Sequence, residues 1–202
     1  MKLYSNRYAP SPRRVRMFAA EKGIALDIVE VDIAAGEQRS AEFLARNPRG
    51  ELPLLELDDG SILTESLAIC RLLEARQPEP NLWGRTPEER AAVDCAVDGL
   101  MFRLYVPTTQ AFRHGHEFWA GRIEQVPAYA DVARRLVTAE YDFLERRLAE
   151  HAYVSLDRFT MADIVAYTTV EFGKVAGLRP GADHKGIQRW RAEISERPSA
   201  RA

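Results

Sequence analysis

Pro53 stands between Leu52 and the apolar run Leu54-Leu55-Glu56-Leu57. A proline has no N–H to give to a sheet, which confines this run to the start of a strand or to a sheet edge. Two arrangements satisfy that. With a trans bond Pro53 is an ordinary first residue of a strand. With a cis bond the chain turns sharply and leaves the Leu52 N–H and C=O directed outwards as an unpaired rung. The flanking residues favour a use for such a rung: Asn47-Pro48-Arg49-Gly50-Glu51 precedes it and Glu65-Ser66 follows. Together these segments read as a device for holding a small free peptide extended, paired to Leu52 as a strand would be.

The elements around this motif can be placed from pattern alone. Met1 to Ser5 alternates, with Leu3 and Ser5 on one face and Lys2 and Tyr4 on the other. Ser11-Pro12 then reads as an N-cap followed by proline at the first helical position. The helix so begun buries Val15, Phe18, Ala19 and Lys22 on one stripe and stops at Gly23. Ile24 to Val31 reads as a second strand, Ser40 to Arg46 as a short helix and Leu54 to Leu57 as a third strand. Asp58-Asp59-Gly60 is a hairpin turn and Ser61 to Leu63 its returning strand. Glu65 to Arg76 carries Leu67, Ile69, Cys70, Leu72 and Leu73 on a helical period. The order β-α-β-α-β-β-α makes the first two strands parallel, through a right-handed crossover, and the last two antiparallel.

Beyond Gln77-Pro78-Glu79-Pro80 the alternation disappears. Helical segments are expected over Pro87 to Arg113, Ala128 to Glu150 (with Val132, Leu136, Ala139 and Phe143 on one stripe), Met161 to Ala176 and Gly186 to Arg197. Thr160 reads as an N-cap with Asp163 at N3 and Phe159 stapled to Ile164. The chain thus divides into an α/β domain over 1–77, a linker over 78–86 and an all-helical domain over 87–202.

This order, with Pro53, Glu65-Ser66 and the Thr160–Asp163 motif in these positions, resembles the cytosolic glutathione transferases along essentially the whole chain. The resemblance implies a thioredoxin-like N-terminal domain that binds glutathione and an all-α C-terminal domain that meets the electrophile. It also implies a homodimer with glutathione as co-substrate and no cofactor.

Composition narrows the class further. The 202 residues carry 28 Lys and Arg against 30 Asp and Glu, a net charge of −2 with the two signs interspersed. No basic stripe points to nucleic acid. Arg13, Arg14 and Arg16 form a small patch, or lie on a solvated helix face, or, as the resemblance implies, sit beside the active site instead. No run of 18 or more apolar residues and no charged-then-apolar leader is present, so a cytoplasmic protein without membrane spans is expected. Cys70 and Cys95 lie on apolar helical positions, which suits buried packing in a reducing compartment. His114 and His116 flank Gly115 without the further ligands a metal needs, and His151 and His184 carry no pattern.

The resemblance carries roles residue by residue. A transferase must ionise the glutathione thiol, and a helix N-terminus lowers thiol pKa values; Ser11 is the candidate donor to the thiolate. Registering the zeta-like motif on Val15-Arg16 puts Ala9 where those members have serine and Ser11 where they have cysteine. The omega-like cysteine falls at or near Pro12, and its loss argues against thiol-disulfide or dehydroascorbate chemistry. Ala9-Pro10-Ser11-Pro12 is more similar to a bacterial group with Thr-Pro or Ser-Pro at this point. Tyr4, Tyr8 and the backbone N–H groups are the rival donors. Glu65-Ser66 matches the γ-glutamyl ammonium and carboxylate, Leu52 and Pro53 the extended peptide backbone, Gln38 the glycyl end or the peptide backbone, and Arg39 the glycine carboxylate. Phe102, Arg103, Tyr105, Val106, Phe112 and Arg113 are the candidates for the electrophile pocket. The alternatives are a non-catalytic stress or regulatory protein on the same scaffold and a glutathione-dependent isomerase.

Overall fold

The opening alternation becomes β1 (Lys2–Ser5), and the Ser-Pro segment leads into α1 (Pro10–Glu21). β2 (Asp27–Glu30), α2 (Ala41–Arg46), β3 (Leu54–Glu56), β4 (Ile62–Thr64) and α3 (Ser66–Arg76) follow. In this computed structural model, which describes residues 1–202, they form a four-stranded sheet in the order β2-β1-β3-β4. β1 runs parallel to β2 and antiparallel to β3, and β3 runs antiparallel to β4. This is the thioredoxin-like arrangement. The period of two along β1 sends Leu3 and Tyr4 to opposite faces. Tyr4 packs with Val31, Phe43 and Leu54, its ring edge-on to Phe43, while Leu3, Val15, Phe18, Ile69 and Leu73 are buried with Lys22 among them.

β2 is shorter than the expected Ile24–Val31, because the Ile24 N–H still bonds the Ala19 carbonyl as α1 ends. Gly23, with φ +66°, makes that exit. Lys22 closes the far end of this unit. Its ammonium donates to the carbonyls of Gln77 (2.8 Å), Pro78 (3.2 Å) and Pro80 (2.7 Å) and pairs with Glu74.

Two compact units emerge: Met1–Asn81 with Pro198–Ala202, and Leu82–Arg197. The last five residues thus belong with the sheet, where the sequence placed them in the helical domain.

The helical unit holds α4 (Pro87–Leu100), α5 (Val106–Gly115), α6 (Pro127–Glu150), α7 (Met161–Gly173) and α8 (Lys185–Ser195). The single helix expected over Pro87–Arg113 is broken by a π-helical segment, Met101–Tyr105. Pro107 has no N–H for the next bond of the ladder, and the Val106 N–H reaches back to the Met101 carbonyl. Every residue of α7 from Met161 to Val170 is buried. Thr160 and Asp163 form the capping box at its start. The Asp163 carboxylate also accepts from Val154 N–H (3.0 Å) and Trp190 Nε1 (2.9 Å). Burial nevertheless pushes its pKa up.

α6 turns a different stripe inward from the one expected. Ala130, Ala133, Val137, Tyr141, Leu144 and Leu148 are buried, whereas Val132 (40% exposed), Leu136 (52%) and Phe143 (60%) face solvent, with Ala139 exposed beside them. The helix is apolar on both stripes. The alanines of the first stripe admit the neighbouring helix closely: a Cβ on Gly115 of α5 would come within 3.2 Å of the Ala130 methyl.

Candidate active site

The register of the sheet gathers segments that lie far apart in the chain. Tyr4 pairs with Leu54, and Leu54 with Thr64. One step further toward the same end come Ser5 and the loop into α1, then Pro53 and Leu52, then Glu65 and Ser66. Leu52–Pro53 is cis, and the Leu52 backbone makes no hydrogen bond within the chain. Asn47 holds the loop that leads there: its Nδ2 donates to Glu51 O (2.8 Å) and its Oδ1 accepts from Arg49 N–H (3.2 Å). Gly50 adopts φ +60°, and a Cβ there would lie 2.7 Å from the Gln38 carbonyl oxygen. Only glycine fits that approach. Arg39 Nη1 donates to Arg49 O (2.9 Å). Gln38 and Arg39 are therefore docked on the loop that ends at Leu52, and the Gln38 Oε1 is buried without a hydrogen-bond partner.

Glu65 is the one non-glycine residue with positive φ, at +66°. Such a conformation costs about 1–3 kcal/mol and clusters at ligand clamps. It leaves the Glu65 carboxylate exposed at the N-cap of α3. Ser66 behind it is buried, and its Oγ accepts from Arg14 Nη1 at 2.7 Å. With a lone pair so engaged, the hydroxyl proton is left to donate. The sequence singles out Arg14 only as one of three neighbouring arginines; that it is buried and donates to Ser66 is decided by packing across 52 residues.

α1 starts earlier than expected. Ala9 is its N-cap, Pro10 its first residue and Ser11 its second, so Ser11 is not the cap. Pro10 and Pro12 both suit a first turn by their fixed φ, and the local rule does not choose between them. The consequence is chemical: neither proline has an N–H, and the Arg13 N–H bonds the Ala9 carbonyl (3.2 Å). Few backbone donors remain at this helix end. Ser11 and Arg14, three apart, share the face that meets α3.

The three arginines form neither a basic patch nor a solvated face; each is bonded within the sheet unit, Arg14 and Arg16 beside the candidate site. Arg13 Nη2 donates to Ala200 O (2.9 Å), Arg14 to Ser66, and Arg16 to Ser5 Oγ, Asn6 O (3.2 Å) and Arg7 O (3.2 Å). Of the rival hydroxyls, Tyr4 donates to Glu56 Oε2 (3.0 Å), and burial raises its pKa. Tyr8 is 77% exposed, with Arg7 over its ring.

The electrophile candidates fall in separate places. Phe102 (74% exposed) and Val106 stand outward with the exposed stripe type seen on α6. Arg103 faces Glu140, whose pKa is raised by burial and held back by that guanidinium. Tyr105 is half-buried. Phe112 sits in an aromatic cluster with His116, Phe118, Trp119 and Phe172, and Arg113 lies over the Trp119 ring at 4.8 Å. A cleft of about 480 Å³ in the same unit is lined by Glu89, Arg147, His151 and Arg158 among others, and by none of these candidates.

Of the cysteines, Cys70 is buried, which pushes its thiol to about 12, while Cys95 is exposed rather than packed. The histidines build turns: His114 Nδ1 accepts from Val126 N–H (3.1 Å) and His116 Nδ1 from Phe118 N–H (3.1 Å). No group of three His, Cys, Asp or Glu side chains is placed to hold a metal, and no helix is long and apolar enough to cross a membrane.

A four-stranded thioredoxin-like sheet unit followed by an all-helical unit defines a class of two-domain α/β-plus-α proteins. Comparison gives the family. Residues 8–76 match the glutathione S-transferase N-terminal domain, and residues 99–198 the glutathione S-transferase C-terminal domain. Glutathione S-transferase 2 of Saccharomyces cerevisiae is 29% identical over all of this chain and 88% of its own length. Glutathione S-transferase F10 of Arabidopsis thaliana is 30% identical over 94% of this chain and 91% of its own. The crystal structure of a glutathione S-transferase domain-containing protein from Marinobacter aquaeolei VT8 superposes with a TM-score of 0.93 at 32% identity, covering 98% of this chain and 99% of that one. The chain belongs to the glutathione S-transferase family.

Proposed function

We propose that this glutathione transferase binds glutathione along the sheet end where Ser11, Leu52-Pro53 and Glu65-Ser66 converge, an observation that rests on the Tyr4–Leu54–Thr64 register. Glu65 takes the γ-glutamyl ammonium. Ser66 and the first N–H groups of α3 take its carboxylate, a pairing that a helix N-terminus favours. Leu52 pairs with the cysteinyl backbone, and Gln38 with Arg39 meets the glycyl end. The thiol then lies at the start of α1, where the Ser11 hydroxyl donates to the thiolate. The proton leaves to solvent, and the sulfur attacks an electrophilic carbon, displacing its leaving group, or the oxygen of a hydroperoxide, breaking the O–O bond so that the sulfur becomes a sulfenic acid and the departing alkoxide takes a proton from solvent. Phe102, Arg103, Tyr105, Phe112 and Arg113 supply the electrophile contacts, and the two arginines suit an anionic co-substrate.

The physiological form in this reading is a cytoplasmic homodimer that detoxifies small electrophiles. The exposed Val132–Leu136–Phe143 stripe supports self-association, since patches of that kind mark interaction surfaces. The unpaired, exposed Cys95 suits a reducing compartment. Neither a regulatory scaffold nor a protein that only isomerises its substrate is favoured by a particular observation.

Calorimetric titration with glutathione tests the site. Glu65→Ala should weaken binding by about 1.5–3 kcal/mol, the range for a charge-assisted hydrogen bond. Equal affinities would place the ligand elsewhere. A panel of electrophiles and hydroperoxides, with sedimentation of the free protein, then identifies the reaction and the assembly.

A further inference from the structure

The chain returns to the sheet unit after α8 in a short 3-10 turn, Pro198–Arg201, that packs along α1. Its contacts bracket the helix. Arg13, in the first turn, donates to Ala200 O at 2.9 Å, and Ser199, buried, donates through its hydroxyl to the Glu21 carboxylate at the last turn. Arg13, Met17 and Glu21 are spaced four apart and form one line along α1. Met17 in the middle of that line is fully buried, and Ala200 is buried with it. Two residues of separation place Ser11 and Arg13 on opposite sides of the helix, about 200° apart. Arg14 meanwhile ties the Ser11 side to Ser66 of α3.

The geometry points to a working role for residues 198–202: they are a strap that braces α1 from behind and so fixes where the Ser11 hydroxyl presents itself to the glutathione sulfur. Arg13 and Ser199 are positioning residues, since neither meets the ligand. The inference rests on the Ser11 reading above. Its physical basis is the steepness of positional effects in a preorganised site, where a shift of about 1 Å can cost up to a hundredfold in rate. Loss of the strap removes the Arg13 and Ser199 ties and uncovers the Met17 line, so that the first turn of α1 keeps its side-chain hydrogen bonds only on the Arg14 side, while the Lys22 bonds and buried Val15 and Phe18 still hold the rest of the helix. The peptide ends of glutathione are gripped by other segments, so thiol activation should suffer and binding should not.

The test uses the full chain, a chain ended after Arg197, Arg13→Met, Arg13→Lys, Ser199→Ala and Ser11→Ala, each titrated with glutathione while thiolate absorbance is followed against pH. The shortened chain and Arg13→Met should show a raised thiol pKa and a turnover at neutral pH lower by about tenfold, one pKa unit. Glutathione affinity should stay within about twofold of wild type, and Arg13→Lys should recover part of the turnover, because its ammonium still donates. An unshifted thiol titration in the folded shortened chain or, should that chain not fold, in Arg13→Met overturns the strap. If Ser11→Ala shifts the titration at the same time, the Ser11 reading survives that failure. If Ser11→Ala is unshifted too, the reading itself has failed. A loss of affinity equal to the loss of turnover also overturns the inference, since a merely destabilised domain would lose both.

Discussion

Ser11→Ala separates activation from binding more sharply than any other change to this protein. The helix start proposed to hold the thiolate has few donors. Of the first three residues of α1, Pro10 and Pro12 carry no N–H, and the N–H of the fourth, Arg13, is already bonded to Ala9. A helix start normally spreads an anion over several backbone donors. Here the share carried by the hydroxyl rises. One hydrogen bond to an ionised group is worth about 1.5–3 kcal/mol, which at about 1.36 kcal/mol per unit raises the pKa of bound glutathione by about 1–2 units. Turnover near neutral pH should fall by about ten- to a hundredfold and recover as the pH is raised above the new pKa. Affinity should barely change if, as proposed, the ends of the peptide are held at Glu65-Ser66 and beside Leu52. Stability should change little as well, since Ala9 rather than Ser11 is the cap residue. Thiolate absorbance against pH in both proteins is the assay. A mutant titration that overlays the wild type would remove Ser11 from the chemistry and leave the backbone or Tyr8 as donor.

Lys22→Met should destabilise the sheet unit by about 3–5 kcal/mol, because it removes the cation paired with the largely buried Glu74 and the donor to three carbonyls; the double variant with Glu74→Leu should recover much of that, and a urea midpoint shift worth under about 1 kcal/mol contradicts this account. Thr160→Ala should cost about 0.5–2 kcal/mol as a lost cap. Asp163→Ala should cost more, at least about 3 kcal/mol, because the Thr160, Val154 and Trp190 donors are left buried and unpaired; denaturant midpoints in the reverse order would show the cap reading to be misplaced. Glu89 accepts from Arg158 and from the Arg85 N–H, which hold its carboxyl at about 2 rather than 4.5. A depressed folded pKa contributes stability that is present above the unfolded value and lost as pH falls toward the folded one. The stability gap between wild type and Glu89→Gln should therefore be full at pH 6 and close progressively between 4.5 and about 2; a gap that stays constant through that window rules the linkage out.

Much of the architecture is written in short-range rules. Proline without an N–H fixes the entry to β3, Asp58-Asp59-Gly60 the hairpin, Gly23 the end of α1, and Thr160 with Asp163 the start of α7, since each acts through sterics or hydrogen bonds a few residues long. The acid–serine pair was legible as a helix start for the same reason. Other features depend on what stands opposite. Pro10 and Pro12 obey one local rule equally, and the N-cap was decided by the packing of α1. The two apolar stripes of α6 are equivalent in hydrophobicity, and the alanine-rich one went inward because a neighbouring helix could approach it closely. Arg14 reaches Ser66 across 52 residues, and Arg13 reaches Ala200 across 187. Burying a guanidinium is costly unless a partner waits for it, and a partner at that distance in the chain leaves no trace in local pattern. The sequence by itself therefore determined the order of elements, because each is set by rules a few residues long, while tertiary structure alone decided how α1, which carries Ser11, is held on three sides.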